Sequence, residues 1–124
     1  MILKDVMKSP QVIRKDISLK RAARIMSSKG ASSLLFVSDK KLKGIITERD
    51  LLRHYNSKKK ISEVMTKKVV TLSSEDELNK ALSLMRRHKI RRIPVLNGGR
   101  VKGIVTMTDI AANLDEIDAE FLFS

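Results

Sequence analysis

The chain of 124 residues contains no cysteine and no tryptophan. The absence of cysteine excludes disulfides, thiolate metal sites and cysteine nucleophiles, and it fits a reducing compartment. Because aromatic residues amount to only 3%, the core has to be built from aliphatic side chains and methionine. No apolar run approaches the length of a membrane span, and the acidic Asp5 comes too early for a signal peptide. The sequence therefore predicts a cytoplasmic protein with no membrane partner.

The chain also has few of the residues that carry catalysis. His54 and His88 are its two histidines, and neither lies in a metal-ligand pattern or beside a nucleophile in a known motif. A Gly-rich phosphate loop of the Walker or Rossmann type is absent. We therefore predict that the protein is not an enzyme and has no catalytic residue, no metal and no cofactor.

Positive charge is the unusual property of the composition, with a formal net charge of +12. Such a field concentrates polyanions, whether nucleotide phosphates, nucleic acid or an acidic protein, although many of the lysines can equally form a solvated face. The densest cluster lacks interleaved aromatic residues, which disfavours base-specific readout. It comprises Arg86-Arg87-His88-Lys89 and Arg91-Arg92.

Two copies of one unit occupy nearly the whole chain. Val6-Met7 reappears 58 residues later as Val64-Met65, and the block that begins at Gly44 reappears 59 residues later at Gly103. Matching spacing over this length indicates an internal duplication. The predicted boundaries are 1–56 for the first repeat, 57–60 for a linker, 61–114 for the second repeat and 115–124 for an amphipathic tail. The tail is expected to pack on the module or against a second copy, through Ile117, Phe121 and Leu122.

Each copy has the same order of predicted elements. A short β-prone stretch (residues 11–13 or 69–72) precedes a helix with apolar residues at i, i+3, i+4 and i+7. Two strands around a turn follow, and then a second helix (residues 48–55 or 107–114). Asp16 or Ser18 is the predicted cap of the first long helix, and Ser74 with Glu77 a capping box for the second. The apolar helix positions are Leu19, Ala22, Ala23 and Met26, and Leu78, Ala81, Leu82 and Met85.

The predicted fold class is therefore α/β (α+β), with two β-α-β-β-α repeats packed sheet to sheet about a pseudo-twofold axis. One repeat alone would bury too little apolar surface to be stable. The expected arrangement leaves two related clefts between the repeats, and clefts of this kind are the usual place for a ligand.

The two strand-to-helix blocks carry a family resemblance. Residues 44–50 (GIITERD) and 103–109 (GIVTMTD) resemble the hallmark of the CBS domain, as do the Val-Met pairs, the Ala-x-x-Met helices and Arg92-Ile93-Pro94-Val95. The resemblance implies a tandem CBS pair, or Bateman module, of the kind that senses AMP, ADP, ATP or S-adenosylmethionine. It also implies a homodimer that regulates an attached or separate effector protein.

Four residues are the main candidates for ligand binding: Thr47 and Asp50 in the first repeat, and Thr106 and Asp109 in the second. A threonine that opens a helix lies beside unpaired amides, which favour an anion such as phosphate. The resemblance implies that the aspartate binds the ribose hydroxyls. Thr-x-x-Asp also resembles a capping box, and the two roles can coexist.

The remaining candidates would hold the phosphate or the base. Arg49, Arg91 and Arg92 offer bidentate donors to phosphate, with a solvent-facing position as the alternative for each. They are matched in the other repeat by Thr108, Ser32 and Ser33, so the two sites are expected to bind the ligand with unequal affinities. The resemblance places Val12, Ile13, Val69 and Val70 along the base, and core packing is their other role.

The function predicted from the sequence is a non-catalytic regulatory module that binds an adenine nucleotide or S-adenosylmethionine and signals to a partner protein. One alternative is a CBS protein that binds nucleic acid through its basic face. A second alternative is a structural dimerisation module.

Overall fold

A computed structural model of the chain describes residues 1–116, so that most of the predicted tail lies outside the described residues. The chain divides into two compact units. The first unit is Pro10–Val69, and the second unit combines Met1–Ser9 with Val70–Ser124. These units differ from the sequence repeats, because the segment that opens each repeat belongs to the unit formed by the rest of the other repeat.

The first unit contains a three-stranded sheet of order β1-β2-β3. Strand β1 is parallel to β2, and β2 and β3 form an antiparallel hairpin. The elements in chain order are β1 (Val12–Ile13), α1 (Leu19–Lys29), β2 (Ser33–Ser38), β3 (Lys41–Thr47), α2 (Glu48–Arg53) and α3 (Ile61–Val64).

The second unit repeats this arrangement with a sheet of order β4-β5-β6. A 3-10 turn at Leu3–Asp5 comes first in the chain, and another at Leu114–Glu116 comes last. Between them lie β4 (Leu72–Ser73), α4 (Leu78–His88), β5 (Arg92–Asn97), β6 (Arg100–Thr106) and α5 (Met107–Ala111). The predicted α/β class and the β-α-β-β-α order of both repeats are confirmed. None of the helices formed by residues 1–116 has both the length and the apolar composition to cross a membrane.

Each unit has an aliphatic core that includes the opening segment of the other repeat, here called the borrowed segment: residues 1–9 in the second unit and 61–69 in the first. Leu3 is completely buried in the second unit, and Ile61 is 1% exposed in the first. Three of the four apolar positions predicted in α1 are buried, whereas Ala23 is exposed. The predicted linker is also part of the first unit, since the Leu19 amide donates to the Lys59 carbonyl at 3.3 Å.

Both borrowed segments pair with the last strand of the unit that they join. The amide of Lys8 donates to the Ile104 carbonyl at 3.0 Å, and the Ile104 amide returns a bond of 2.9 Å. Thr66 and Ile45 exchange the same two bonds, both at 3.0 Å. The repeated Val-Met segments therefore add a bridge beside β6 and β3.

A glycine in each last strand makes room for these segments. A Cβ added to Gly103 would come within 2.6 Å of the Met7 Sδ atom, and one added to Gly44 within 2.9 Å of the Thr66 carbonyl oxygen. Real Cβ atoms essentially never make contacts this short, so a side chain at either position would force Met7, or Met65 and the Thr66 backbone, to move. This packing explains why Val-Met and Gly recur together in the sequence.

The caps of the two long helices differ. The Ser18 Oγ atom accepts a bond from the Arg21 amide at 3.1 Å, so Ser18 caps α1. Asp16 instead accepts a bond from the Ser62 amide at 3.1 Å. The prediction of a Ser74–Glu77 capping box is wrong, because α4 starts after Glu77 without a side-chain cap. Backbone bonds hold Ser74 just after β4, where its amide donates to the Leu96 carbonyl at 2.9 Å.

Strand β4 starts at Leu72, later than the predicted stretch of residues 69–72. In the first unit the Leu35 amide donates to the Gln11 carbonyl at 2.9 Å. Pro94 occupies the position of Leu35 in the second repeat and has no amide proton to donate. The pairing of β4 with β5 accordingly begins one residue later, at Val95.

Candidate functional site

Each unit has a Thr-x-x-Asp turn where its last strand meets a short helix. The Asp50 Oδ2 atom accepts bonds from the Thr47 amide at 2.8 Å and from its hydroxyl at 3.1 Å. Asp109 Oδ2 accepts the same bonds from Thr106, at 2.8 and 3.0 Å. The amide of each aspartate donates to the threonine Oγ1 in return, at 3.4 and 3.3 Å. Both turns are therefore capping boxes, as the alternative interpretation predicted.

Capping engages only one oxygen of each carboxylate. Both bonds from the threonine end on Oδ2, so that Oδ1 remains for a donor from outside the turn. Asp109 is 4% exposed and Asp50 is half-buried. A buried carboxylate needs donors or a counter-charge. The group that faces Oδ1 therefore decides how each aspartate is satisfied.

The two turns differ in what faces Oδ1. The Lys8 ammonium lies 3.5 Å from Asp109 Oδ1, and the lysine side chain is 72% exposed. At the matched position of the first unit stands Thr66, which carries no charge. Asp50 has no ion-pair partner within residues 1–116. The two sites therefore differ in the charge of Lys8, in addition to the arginines on which the prediction of unequal sites was based.

The amides at these helix starts are less available to an anion than the sequence suggested. The first amide of α2, that of Glu48, donates to the Ser32 carbonyl at 3.2 Å, and that of Met107 in α5 donates to the Arg91 carbonyl at 2.8 Å. The third amide in each helix bonds to the threonine hydroxyl. Two of the first three amides of each helix are therefore already bonded, so fewer remain for a phosphate than the sequence suggested.

The three candidate arginines lie next to the turns in the chain or the sheet. Arg49 follows Thr47 by two residues and is exposed. Arg92 is half-buried and pairs with Thr106 across β5 and β6, while the exposed Arg91 bonds α5 through its carbonyl. Ser33 takes the place of Arg92 beside Thr47. Their role toward phosphate stays a prediction.

The four apolar candidates are all half-buried. Val12 and Ile13 form β1, and Ile13 packs against the core of the first unit. Val70 packs against the core of the second unit, and Val69 ends the first unit. Ile13 and Val70 thus combine core contact with partial exposure, and the role of all four residues along a base stays a prediction.

Sequence reasoning missed Lys8. The pattern that could have identified it is a difference between the repeated segments: Val-Met-Lys in one copy is Val-Met-Thr in the other. The contact with Asp109 could not be expected, because it requires the first segment of the chain to pack against the second repeat.

Other parts of the described structure offer little competing chemistry. A surface depression of about 520 Å³ follows the outer face of α1 and contains neither Thr-x-x-Asp turn. Within residues 1–116, no three histidine, aspartate or glutamate side chains come together in a way that could hold a metal ion. His54 is half-buried and His88 exposed.

Comparison with known proteins identifies the family. The family model of the CBS domain matches residues 3–57 and 61–116. The CBS domain pair of protein MJ0100, solved in complex with 5′-methylthioadenosine and S-adenosyl-L-methionine, is 32% identical with a TM-score of 0.85. The match covers 93% of this chain and 96% of that chain.

Two further relatives extend the likeness. The CBS domain protein PAE2072 from Pyrobaculum aerophilum, complexed with AMP, has a TM-score of 0.84 over 98% of this chain and 95% of that one. At 18% identity it shares the fold. The inosine-5′-monophosphate dehydrogenase of Nitrosopumilus maritimus is 38% identical over 112 residues, which are 89% of this chain but 23% of the dehydrogenase. With both repeats matched by the family model, this chain belongs to the CBS domain family.

Proposed function

We propose that the chain is a non-catalytic regulatory module that binds an adenosine-containing ligand at its Thr-x-x-Asp turns. The candidate ligands are AMP, ADP, ATP and S-adenosylmethionine. The observation that carries the proposal is the pair of aspartates whose Oδ2 atoms are held by the chain while their Oδ1 atoms take no part in the capping box. The 32% identical CBS pair of MJ0100, solved with two adenosyl compounds, supports this class of ligand.

The aspartates would recognise the ribose. A carboxylate oxygen with two lone-pair directions can accept both hydroxyls of a ribose diol, and a charge-assisted bond of this kind contributes roughly 1.5–3 kcal/mol. The capping box fixes the carboxylate before the ligand arrives, so little side-chain entropy is lost on binding. Thr47 and Thr106 act as positioning residues for the acids.

Binding would be communicated to a partner. A ligand that prefers one conformation of the strand-to-helix turns shifts the population toward it, and a partner that reads that surface responds. Leu52 and Tyr55 of the first unit are 77% and 80% exposed, and exposed apolar side chains of this kind suit a second copy or an effector protein. We place the protein in the cytoplasm.

A second candidate function is nucleic-acid binding. The last turn of α4 contains Arg86, Arg87 and His88, all exposed, and Lys89 and Arg91 continue this basic segment. Phosphate contacts from such a segment would give an affinity that falls steeply with salt and does not depend on base sequence. This dependence separates it from a nucleotide site built on a carboxylate.

The test is calorimetric titration at moderate salt with AMP, ADP, ATP and S-adenosylmethionine, on the natural chain and on Asp50→Asn and Asp109→Asn. Asparagine can keep its carbonyl in the capping box while an amide group replaces Oδ1, so an acceptor for ribose becomes a donor. We expect saturable binding of at least one ligand, weakened by about tenfold or more in one variant.

The matched control is Asp76→Asn, since Asp76 also accepts a bond in a local turn, from the Ser73 amide at 2.7 Å. Its affinity should equal that of the natural chain. No binding of any of the four ligands, together with salt-dependent binding of a short DNA or RNA, would reject the proposal in favour of the basic segment. Indifference to every ligand and nucleic acid would leave only the structural dimerisation role.

A further inference from the structure

Lys8 is held where its charge can reach the second Thr-x-x-Asp turn. Its backbone is fixed to β6 by the two hydrogen bonds with Ile104, at 3.0 and 2.9 Å. Its side chain is 72% exposed and ends 3.5 Å from Asp109 Oδ1, the oxygen that the capping box does not use. The backbone is therefore fixed, while the ammonium keeps the freedom of a long solvated chain.

The matched position in the first unit lacks this charge. Thr66 makes the same backbone bridge with Ile45 that Lys8 makes with Ile104. Asp50 has the same capping box as Asp109, and no cation lies within ion-pair distance of it among residues 1–116. The two turns thus share a capping box and a backbone bridge but differ in the charge next to Oδ1.

The charge changes what a ligand gains by occupying Oδ1. A ribose diol that takes this oxygen of Asp109 displaces the ammonium from its partner. A phosphorylated ligand offers the released ammonium a new anion, whereas an uncharged or cationic adenosyl ligand does not. At Asp50 no ion pair has to be broken, so a ligand without phosphate incurs no such loss there. The first and third amides of α5 are already bonded, so that fewer helix amides than usual can assist the ammonium in binding a phosphate.

We propose that Lys8 is a specificity-determining residue that makes the Thr106–Asp109 turn selective for phosphorylated adenosine ligands, while the Thr47–Asp50 turn, with Thr66 in its place, takes adenosyl ligands without phosphate. This inference rests on the proposed function, since it assigns a ligand class to each of the two turns.

The test exchanges the two residues and reads each turn separately. In an Asp50→Asn background, which removes the first turn's acceptor, Lys8→Thr is titrated with AMP and with 5′-methylthioadenosine. In an Asp109→Asn background, Thr66→Lys is titrated with the same two compounds. Circular dichroism checks that each variant is folded. Lys4→Thr is the matched control, because Lys4 lies on the same segment, is exposed and loses the same charge.

We expect Lys8→Thr to weaken AMP binding by about tenfold and to leave methylthioadenosine within about twofold or tighter. Thr66→Lys should strengthen AMP binding at the first turn by a similar factor. Equal changes for both ligands, or a change matched by Lys4→Thr, would overturn the role of Lys8 and leave the proposed function standing. If neither compound binds the natural chain, the assigned selectivity is overturned, and if ADP, ATP and S-adenosylmethionine do not bind either, the proposed function fails as well.

Discussion

Replacing the strand glycines by alanine tests how the borrowed segments are packed. Neither Gly44 nor Gly103 has a backbone conformation reserved for glycine, so alanine meets no backbone strain at either position. The effect of the substitution comes from the steric contacts of the added Cβ. At Gly103 it would lie 2.6 Å from Met7 Sδ and 2.7 Å from Met7 Cγ, well inside the 3.5–4.0 Å of a favourable contact.

The size of the stability loss depends on which neighbouring atoms have to move to make room for the Cβ. At Gly103 the neighbours belong to the side chain of Met7, which is flexible and can rearrange, so we expect Gly103→Ala to lower the free energy of unfolding by about 1–2 kcal/mol. At Gly44 a Cβ would also lie 2.9 Å from the Thr66 carbonyl oxygen, which accepts the Ile45 amide bond. Since a backbone atom cannot move without weakening that bridge, Gly44→Ala should cost about 3 kcal/mol.

Urea unfolding followed by far-ultraviolet circular dichroism is the suitable assay, because the chain has no tryptophan and one tyrosine. The double variant Gly103→Ala with Met7→Ala should be more stable than the sum of the two single changes by about 1 kcal/mol. The corresponding double variant with Met65→Ala should recover less, since the Thr66 carbonyl remains. Neutral single variants, or a Gly103→Ala with Met7→Ala double variant that is additive within about 0.5 kcal/mol, would refute the close approach of these segments.

Two further predictions concern helix ends and the core. Gly30 and Lys89 end α1 and α4 in the left-handed conformation, at φ 62° and 55°. Lys89→Gly should therefore stabilise the chain by about 0.5–1 kcal/mol and Gly30→Lys destabilise it, as measured by urea unfolding; equal stabilities would contradict this. Leu3→Ala removes a completely buried side chain and should cost about 3 kcal/mol. Its amide shift changes in NMR spectra should concentrate in residues 70–116, and changes centred on residues 10–57 would contradict the unit boundaries.

Much of the architecture could be predicted because it is local and duplicated. The apolar spacing of α1 and α4, the turns of both hairpins and the two capping boxes depend on residues a few positions apart. The hairpin turns illustrate this, since Asp39-Lys40 and Gly98-Gly99 all adopt positive φ, which a two-residue turn between twisted strands requires.

What could not be predicted depends on distant residues. The sequence repeats do not indicate which unit each opening segment joins, and in the structure Met7 packs against Gly103 and Met65 against Gly44. A repeated pattern is compatible with either pairing, because both copies carry the same partners. The capping box expected at Ser74 failed for the same kind of reason, since its backbone is engaged by Lys4 and Leu96.

The sequence predicted the two aspartates of the site but not the lysine beside one of them. Thr-x-x-Asp is a local pattern, so both turns could be found from their spacing. Lys8 lies far from Asp109 in the chain, and only the pairing of its segment with β6 brings the two together.

The most direct test of the claim that Asp50 or Asp109 binds a ribose is a crystal structure of the chain grown with 5′-methylthioadenosine or AMP. We expect ribose hydroxyl oxygens within about 3.2 Å of Oδ1 of Asp50 or Asp109, with the threonine bonds to Oδ2 retained. A ligand bound elsewhere on the chain, with neither carboxylate in contact with it, would contradict the claim.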